Sequence, residues 1–437
     1  MIETKSITET ILPICDSPDD YMFIDDTAVI DQEVIDSVSG IIENVRKYGD
    51  EAILDYTLQY DEVERDTVSI TVDELDAARN IPSETVSLFT EAAENIVTFH
   101  QQELESLKSW TLRCSESYVG RKRIPINRVA VYVPRGTAPL ISSVLMNVIP
   151  AQIAGVQEIV MVSPPDPETG KINPYIIATA ALMGVKEIHA VGGAQAVAAA
   201  AYGTESIQPV DKITGPGNIY VTEAKRQVYG TIGIDSLAGP SEIVILADSN
   251  ANPEWIASDL LSQAEHDVYA RAILISDDRN ILEQSRKEVL SQIEALPRKE
   301  IASASVINNG FFILAKTQEQ GINIINRIAP EHLELMIKDP ESILDSITAA
   351  GAIFLGDHTP EPVGDYWAGP NHILPTGGGA RFSSALSVED FCTWTSVIKF
   401  SPEKLKKNAK KIAAFARLEG LEAHARSVER RFRNKGK

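Results

Sequence analysis

Cysteine is scarce: the 437 residues contain three, Cys15, Cys114 and Cys392. An odd set without CxxC spacing argues against a disulfide framework or a thiolate zinc site and fits a reducing, cytoplasmic setting. Cationic charge is also short, with 40 Lys and Arg against 62 Asp and Glu and a net charge of −22. That balance works against binding nucleic acid or an anionic membrane, which need cations along a face. The basic residues that do cluster, from Lys404 onward, read as a solvated helix surface or as a tail that docks on an acidic body such as a partner subunit. No basic segment followed by an apolar core opens the sequence, so no secretory signal is expected. The greasiest stretch, Val144 to Val156, is too short to span a bilayer. No low-complexity linker and no convincing repeat divides the chain, and its length predicts two sizeable domains.

What is present is an order of elements. Apolar residues at helical spacing over Val34–Val45 and Val86–Phe99 make the first 127 residues read as mostly helical. From Arg128, short β-branched runs alternate with helical segments: RVAVYV, EIVMVS, KEIHAV and DKIT. Strand and helix in alternation predict a parallel sheet with crossover helices, because parallel neighbours cannot be joined by a tight turn. A second set follows in EIVILAD, RAILISDD, ASVINN, GFFILA and AGAIFLGD, with helices predicted at Pro253–His266, Asn280–Glu294 and Pro330–Ile337. Two α/β halves result, the second completed by the N-terminal helices. From about Val388 the pattern becomes helical and basic.

Five of the seven histidines lie in the second half, and four stand near a polar partner: Gln263 with His266, Glu331 with His332, Asp365 with His372, Glu419 with His424. Imidazole beside carboxylate suits a metal-assisted or proton-transferring site, although satisfied buried pairs would look the same. In NPEWIASDLLSQAEH, Gln263 and His266 extend the inward stripe of a helix begun by Asn252 and Pro253. In APEHLELMI, the predicted helix puts Glu331 and His332 in its first turn, where the helix dipole would keep the imidazole neutral and able to act as a base. The segment Asp357–Ser384 holds three carboxylates, two histidines, four prolines and five glycines with little periodicity, the mark of a functional loop. Asp365 is a candidate metal ligand there and His372 a substrate contact. Glu419 and His424 are five apart, about 140° around an ideal helix, so both reach one ligand only at a helix end or across the helix.

Two glycine turns, HAVGGAQAV and ITGPGNIYV, follow strands and precede helices. Such joints aim backbone donors and a positive helix end at the carboxyl edge of a sheet, where nucleotide phosphates bind; the competing reading is that glycine serves only the tight turn itself.

Together with SSVLMNVIPAQIAGV, TGPGN, EAKRQV, DSLAGPSE, ASDLLSQAEH, APEHLEL, GDYWAGPNHILPTGGGARFSS and LEAH, these motifs give a chain that resembles the histidinol dehydrogenase family from roughly Arg128 to His424. The resemblance implies an NAD-linked oxidation of L-histidinol to L-histidine through histidinal, the last step of histidine biosynthesis. It implies one Zn2+ per subunit, held by Gln263, His266, Asp365 and His424. These four would also contact substrate, along with Ser241, His332, His372 and Glu419, and Tyr132, Gln195 and Asn218 would contact NAD. It further implies a homodimer of incomplete Rossmann-like, aldehyde-dehydrogenase-like α/β domains in which the C-terminal segment completes the partner's site. The domains would be an arm at 1–27, a discontinuous α/β domain at 28–127 and 241–387, a nucleotide-binding domain at 128–240 and a helical segment at 388–437.

The residue chemistry is compatible. His332 suits the base for alcohol oxidation, and with no cysteine in the motifs, aldehyde oxidation is simpler through a hydrate, with Glu331 activating water. The family's glycine pair after its VYVP strand is here broken by Arg135, which would strain the backbone if that position needs positive φ, or could reach a nucleotide phosphate. A related dehydrogenase of another alcohol, a zinc hydrolase using Glu331 and His332, and a non-enzymatic binding protein are the competing readings.

Overall fold

The computed structural model describes residues 11–16, 31–135 and 139–432. Most of the expected arm, 1–27, lies outside the described residues. The chain divides into two compact units, Met1–Glu103 with Ile126–Phe391, and Leu104–Pro125 with Cys392–Lys437.

The larger unit carries two all-parallel sheets. In the first, strands are ordered Glu187–Ala190, Glu158–Ser163, Arg128–Tyr132, Lys212–Thr214, Gly233–Ile234. Its central strand is buried along its whole length, as a strand covered on both faces must be, which is why RVAVY is a continuous apolar run rather than an alternating one. One face packs on the helices Gly193–Tyr202 and Ile219–Val228 through Val197, Val221 and Ala224, and the other on Ser142–Ala154 and Pro174–Leu182 through Val144, Val148 and Ile177. The helix Gln32–Tyr48 joins the first of these cores through Val38, Ile41 and Val45. The N-terminal helices were expected to complete the second half; this one instead covers the first sheet.

The second sheet runs Ile14–Cys15, Phe311–Leu314, Arg271–Ser276, Glu242–Ala247, His332–Met336, Ala352–Leu355. Two sequence expectations fail here. The helix expected at Pro330–Ile337 is the strand His332–Met336, inserted between two parallel neighbours. Its residues alternate, with Leu333 and Leu335 in one core and His332 and Glu334 on the opposite side, a period of two that overrides the helix-start signal of Pro330. Conversely, ASVINN belongs to the helix Lys299–Asn309, whose buried Ala302, Ser305 and Val306 fall at helical spacing.

The smaller unit is a three-stranded antiparallel sheet, Cys392–Lys399 against Ser117–Pro125 against Trp110–Cys114, followed by the helices Pro402–Leu418 and Glu422–Glu429. These strands were expected to be helical. They lack a clean apolar face, since Trp110–Cys114 is exposed throughout and Cys392–Lys399 nearly so, and without such a face the period-two signal is weak. No helix among the described residues is long and apolar enough to cross a membrane.

Candidate active site

Two strands of the second sheet begin side by side, one at Glu242 and the other at His332, which are adjacent in register to Ile243 and its neighbours. The chemistry therefore gathers at the amino edge of that sheet. His332 is 4% exposed, and its Nδ1 lies 3.1 Å from the Glu242 carbonyl oxygen. A carbonyl only accepts, so Nδ1 carries the proton and Nε2 keeps its lone pair. Nε2 is buried with no hydrogen-bond partner. Burial pushes the imidazole down to about 3, so it is neutral at any physiological pH. The helix-start argument thus gives the right charge for the wrong reason: desolvation inside a sheet, rather than a helix dipole, keeps this ring neutral.

Glu331 immediately precedes that strand. Its Oε2 accepts the Glu242 N–H at 2.9 Å and stands 3.6 Å from His332 Nδ1. Burial raises its carboxyl well above the ordinary range, and the charges of Glu242, Asp365 and Glu361 add to the rise.

The short helix Glu361–Tyr366 presents Glu361 and Asp365 one turn apart on the same face. One nitrogen of His332 and one oxygen from each of these carboxylates lie within 4.8 Å of one another, with Glu361 Oε1 3.8 Å from Nε2. Burial, followed by the Asp365 charge, raises Glu361 to about 8, and burial raises Asp365 to about 6. Behind them, Glu334 accepts the Glu361 N–H at 2.8 Å and pairs with Asp259, both pushed up by burial, Asp259 to about 6. Glu361, Glu334 and Asp259 were not singled out from sequence. The i, i+4 spacing of Glu361 and Asp365 in PEPVGD was the available signal for the first, and the period-two alternation of HLELM for the second.

Gln263, near the end of the helix Pro253–Ala264, lies beside Glu361. It is 1% exposed, yet neither amide atom has a hydrogen-bond partner. An amide buried this way costs on the order of 1–3 kcal/mol unless something else binds it. His266 follows two residues past the helix and is pushed down by burial. The His266, His332 and His372 rings are close enough to oppose one another's protonation. His372, lowered by burial to about 4, has Nε2 3.1 Å from Ser142 Oγ, so the 357–384 loop is tied to a helix of the first sheet. Ser241 directly precedes the strand that starts at Glu242.

Imidazole, carboxamide oxygen and carboxylate form a donor set suited to zinc or a similar divalent cation. The buried Gln263 amide, without a hydrogen-bond partner, and the carboxyls of Glu361 and Asp365, raised by burial, fit a site that takes a cation.

Glu419 and His424 belong to the smaller unit. Glu419 caps the helix Pro402–Leu418, Gly420 turns the chain in the left-handed region at φ 74°, and His424 lies on the next helix. Their awkward spacing on one helix does not arise, because two helices carry them. Both are exposed and line a groove with Ile412, Phe415 and Leu421.

The residues expected at a nucleotide gather at the carboxyl edge of the first sheet. Tyr132, 4% exposed, accepts the Gly193 N–H on its hydroxyl at 3.0 Å. Gln195 is buried one turn into the same helix, and Asn218 caps the helix Ile219–Val228 by accepting two N–H bonds. Gly215 adopts φ +114°, and a Cβ there would stand 2.1 Å from the Tyr132 carbonyl oxygen, so only glycine fits. Arg135 is not among the residues in the left-handed region, so it carries no strain of that kind. Its guanidinium donates to the Pro165 carbonyl at 2.7 Å and lies 3.9 Å from Asp61.

Residues 25–432 match the model of a family described as Histidinol dehydrogenase. The chain is 51% identical over 399 residues to the histidinol dehydrogenase of Bacillus subtilis (strain 168), covering 91% of this chain and 93% of that one. It is 48% identical over 406 residues to that of Listeria monocytogenes serovar 1/2a, covering 92% and 93%. Among solved structures, the histidinol dehydrogenase of Elizabethkingia anophelis aligns with a TM-score of 0.90 at 37% identity, covering 97% of this chain and 98% of that one.

Proposed function

The chain belongs to the histidinol dehydrogenase family, and from that premise we propose that it oxidises L-histidinol to L-histidine with two equivalents of NAD and one Zn2+ per subunit. The family makes it an oxidoreductase of histidine biosynthesis; the observation that carries the finer reading is His332. Its Nδ1–H is committed to the Glu242 carbonyl and its buried Nε2 is free, facing carboxylates. That is the arrangement of a base with a fixed tautomer.

Gln263, His266 and Asp365 would hold the metal, joined by His424 from a second copy of the chain, whose Glu419 would also contact substrate. Ser241 and His372 would complete the substrate contacts, and Tyr132, Gln195 and Asn218 the nucleotide contacts. When bound, zinc would act as a Lewis acid that orients the substrate, and NAD would accept a hydride from the carbon being oxidised. His332 takes the hydroxyl proton as the alcohol becomes the aldehyde. Glu331, once ionised, takes a proton from the water that adds to the aldehyde carbon, and the resulting hydrate is the species oxidised to the carboxylate. Burial of Glu331, His332, Gln263 and Glu361 keeps bulk water from these groups, which strengthens every charge interaction among them.

The test is stoichiometric. Purified protein with histidinol is expected to form two NADH per substrate, to stop after chelation and to recover with zinc. One NADH per substrate would leave only an alcohol dehydrogenase. Activity indifferent to chelation would remove the metal, and hydrolysis without NADH would favour a zinc hydrolase.

A further inference from the structure

The loop expected to meet the nucleotide is gripped by an ion pair that none of the functional assignments above uses. Lys225, on the helix Ile219–Val228, and Asp235, just beyond the edge strand Gly233–Ile234, pair with side chains only 3% and 4% exposed. Both also bind one residue. Asp235 Oδ2 accepts the Gly215 N–H at 2.7 Å, and Lys225 Nζ donates to the Gly215 carbonyl at 2.7 Å. Burying two charges carries a desolvation cost that a well-packed apolar pair of similar volume would avoid, so stability alone is a poor reason for the pair.

We propose that Lys225 and Asp235 are positioning residues that hold the Gly215 peptide units in one orientation, so that the TGPGN turn is formed before NAD arrives. Gly215 has the freedom to do otherwise, since glycine populates several backbone regions at little cost. Rotating its N–H away from Asp235, or its carbonyl away from Lys225, would leave a buried charge unsolvated, so the pair selects against the alternatives. Tyr132 closes the remaining side, its carbonyl oxygen leaving no room for a Cβ at Gly215. A second tie, Thr222 Oγ1 to the Ala238 carbonyl at 2.8 Å, fixes the same helix to the segment after Asp235. A turn held this way presents Asn218 and the helix start without an ordering cost when ligand binds.

The inference rests on the proposal that NAD binds at this sheet edge. The variant that tests it is Lys225→Met with Asp235→Leu, which removes the grip without leaving a lone charge buried. Calorimetric titration with NAD in the absence of histidinol is expected to show about tenfold weaker binding, equivalent to about 1.4 kcal/mol. The Gly215 amide should exchange hydrogen faster, and the KM for NAD should rise in parallel with the dissociation constant while kcat and the KM for histidinol change by less than about threefold. An NAD affinity within about twofold of wild type would overturn the proposal. Should the double variant fail to fold, Lys225→Met with Asp235→Asn, which likewise leaves no lone charge buried, is read by the same criterion. Wild-type protein that itself fails to bind NAD would refute the cofactor assignment instead, so the two failures are distinguishable.

Discussion

Glu331→Gln is expected to stop the reaction at the aldehyde. Glutamine keeps the size of the side chain and an acceptor for the Glu242 N–H that Glu331 now holds at 2.9 Å, so the strand start and the His332 bond to the Glu242 carbonyl stay in place. What is lost is a site for a proton. General-base assistance contributes about 10²–10⁴-fold, so oxidation of added histidinal should fall by that factor. The alcohol step, which relies on His332, should remain within about tenfold of wild type. His332→Asn should produce the opposite split. The steps should also differ in pH dependence. Burial holds Glu331 well above the usual carboxylate range, so hydrate formation should accelerate as pH rises through its titration. His332, pushed down to about 3, imposes no such limit on the alcohol step above pH 5. Equal loss of both steps in Glu331→Gln would sink this division of labour.

The pattern of legibility follows from what local sequence encodes. The two parallel sheets were readable because RVAVY and EIVILA are buried on both faces and therefore continuous in apolar character. The hairpin at Trp110–Pro125 and the strand Cys392–Lys399 were not, because exposed strands owe their pairing to partners distant in sequence. Among candidate residues, the motifs singled out Gln263, His266, Glu331, His332, Asp365 and His372, but only tertiary structure explains the environment of His332. The Glu242 carbonyl that fixes its tautomer comes from a strand about 90 residues away. Glu361 was hidden in a loop dense with polar residues, and its importance appears only when burial makes its charge expensive. Tyr132 shows the reverse: a residue expected at the cofactor already accepts the Gly193 N–H on its hydroxyl, which leaves the O–H proton as the donor it can offer to NAD.

Metal removal is expected to abolish activity and, independently of activity, to make thermal stability depend on pH in a particular direction. Burial raises Glu361 to about 8 and Asp365 to about 6, above the value of about 4 usual in an unfolded chain. A carboxyl whose folded pKa is raised contributes most below its unfolded pKa, and that contribution is lost as pH climbs through the folded value. His332 and His372, lowered to about 3 and 4, act oppositely: their contribution is present above about 6.5 and lost below it. Between pH 6.5 and 8 the histidine contribution is therefore flat and Asp365 is already largely ionised, so Glu361, whose carboxyl the Asp365 charge helps to raise, sets most of the slope. Metal-free protein should show a Tm that falls across this window. Zinc should flatten the fall, because a cation among Gln263, His266 and Asp365 balances the charge that burial penalises. Asp365→Asn should also flatten the metal-free slope while lowering zinc affinity at least about tenfold. Calorimetric scans at several pH values, with and without zinc, separate the cases. A Tm slope unchanged by zinc, together with wild-type zinc retention in Asp365→Asn, would mean that these buried acids serve the fold alone.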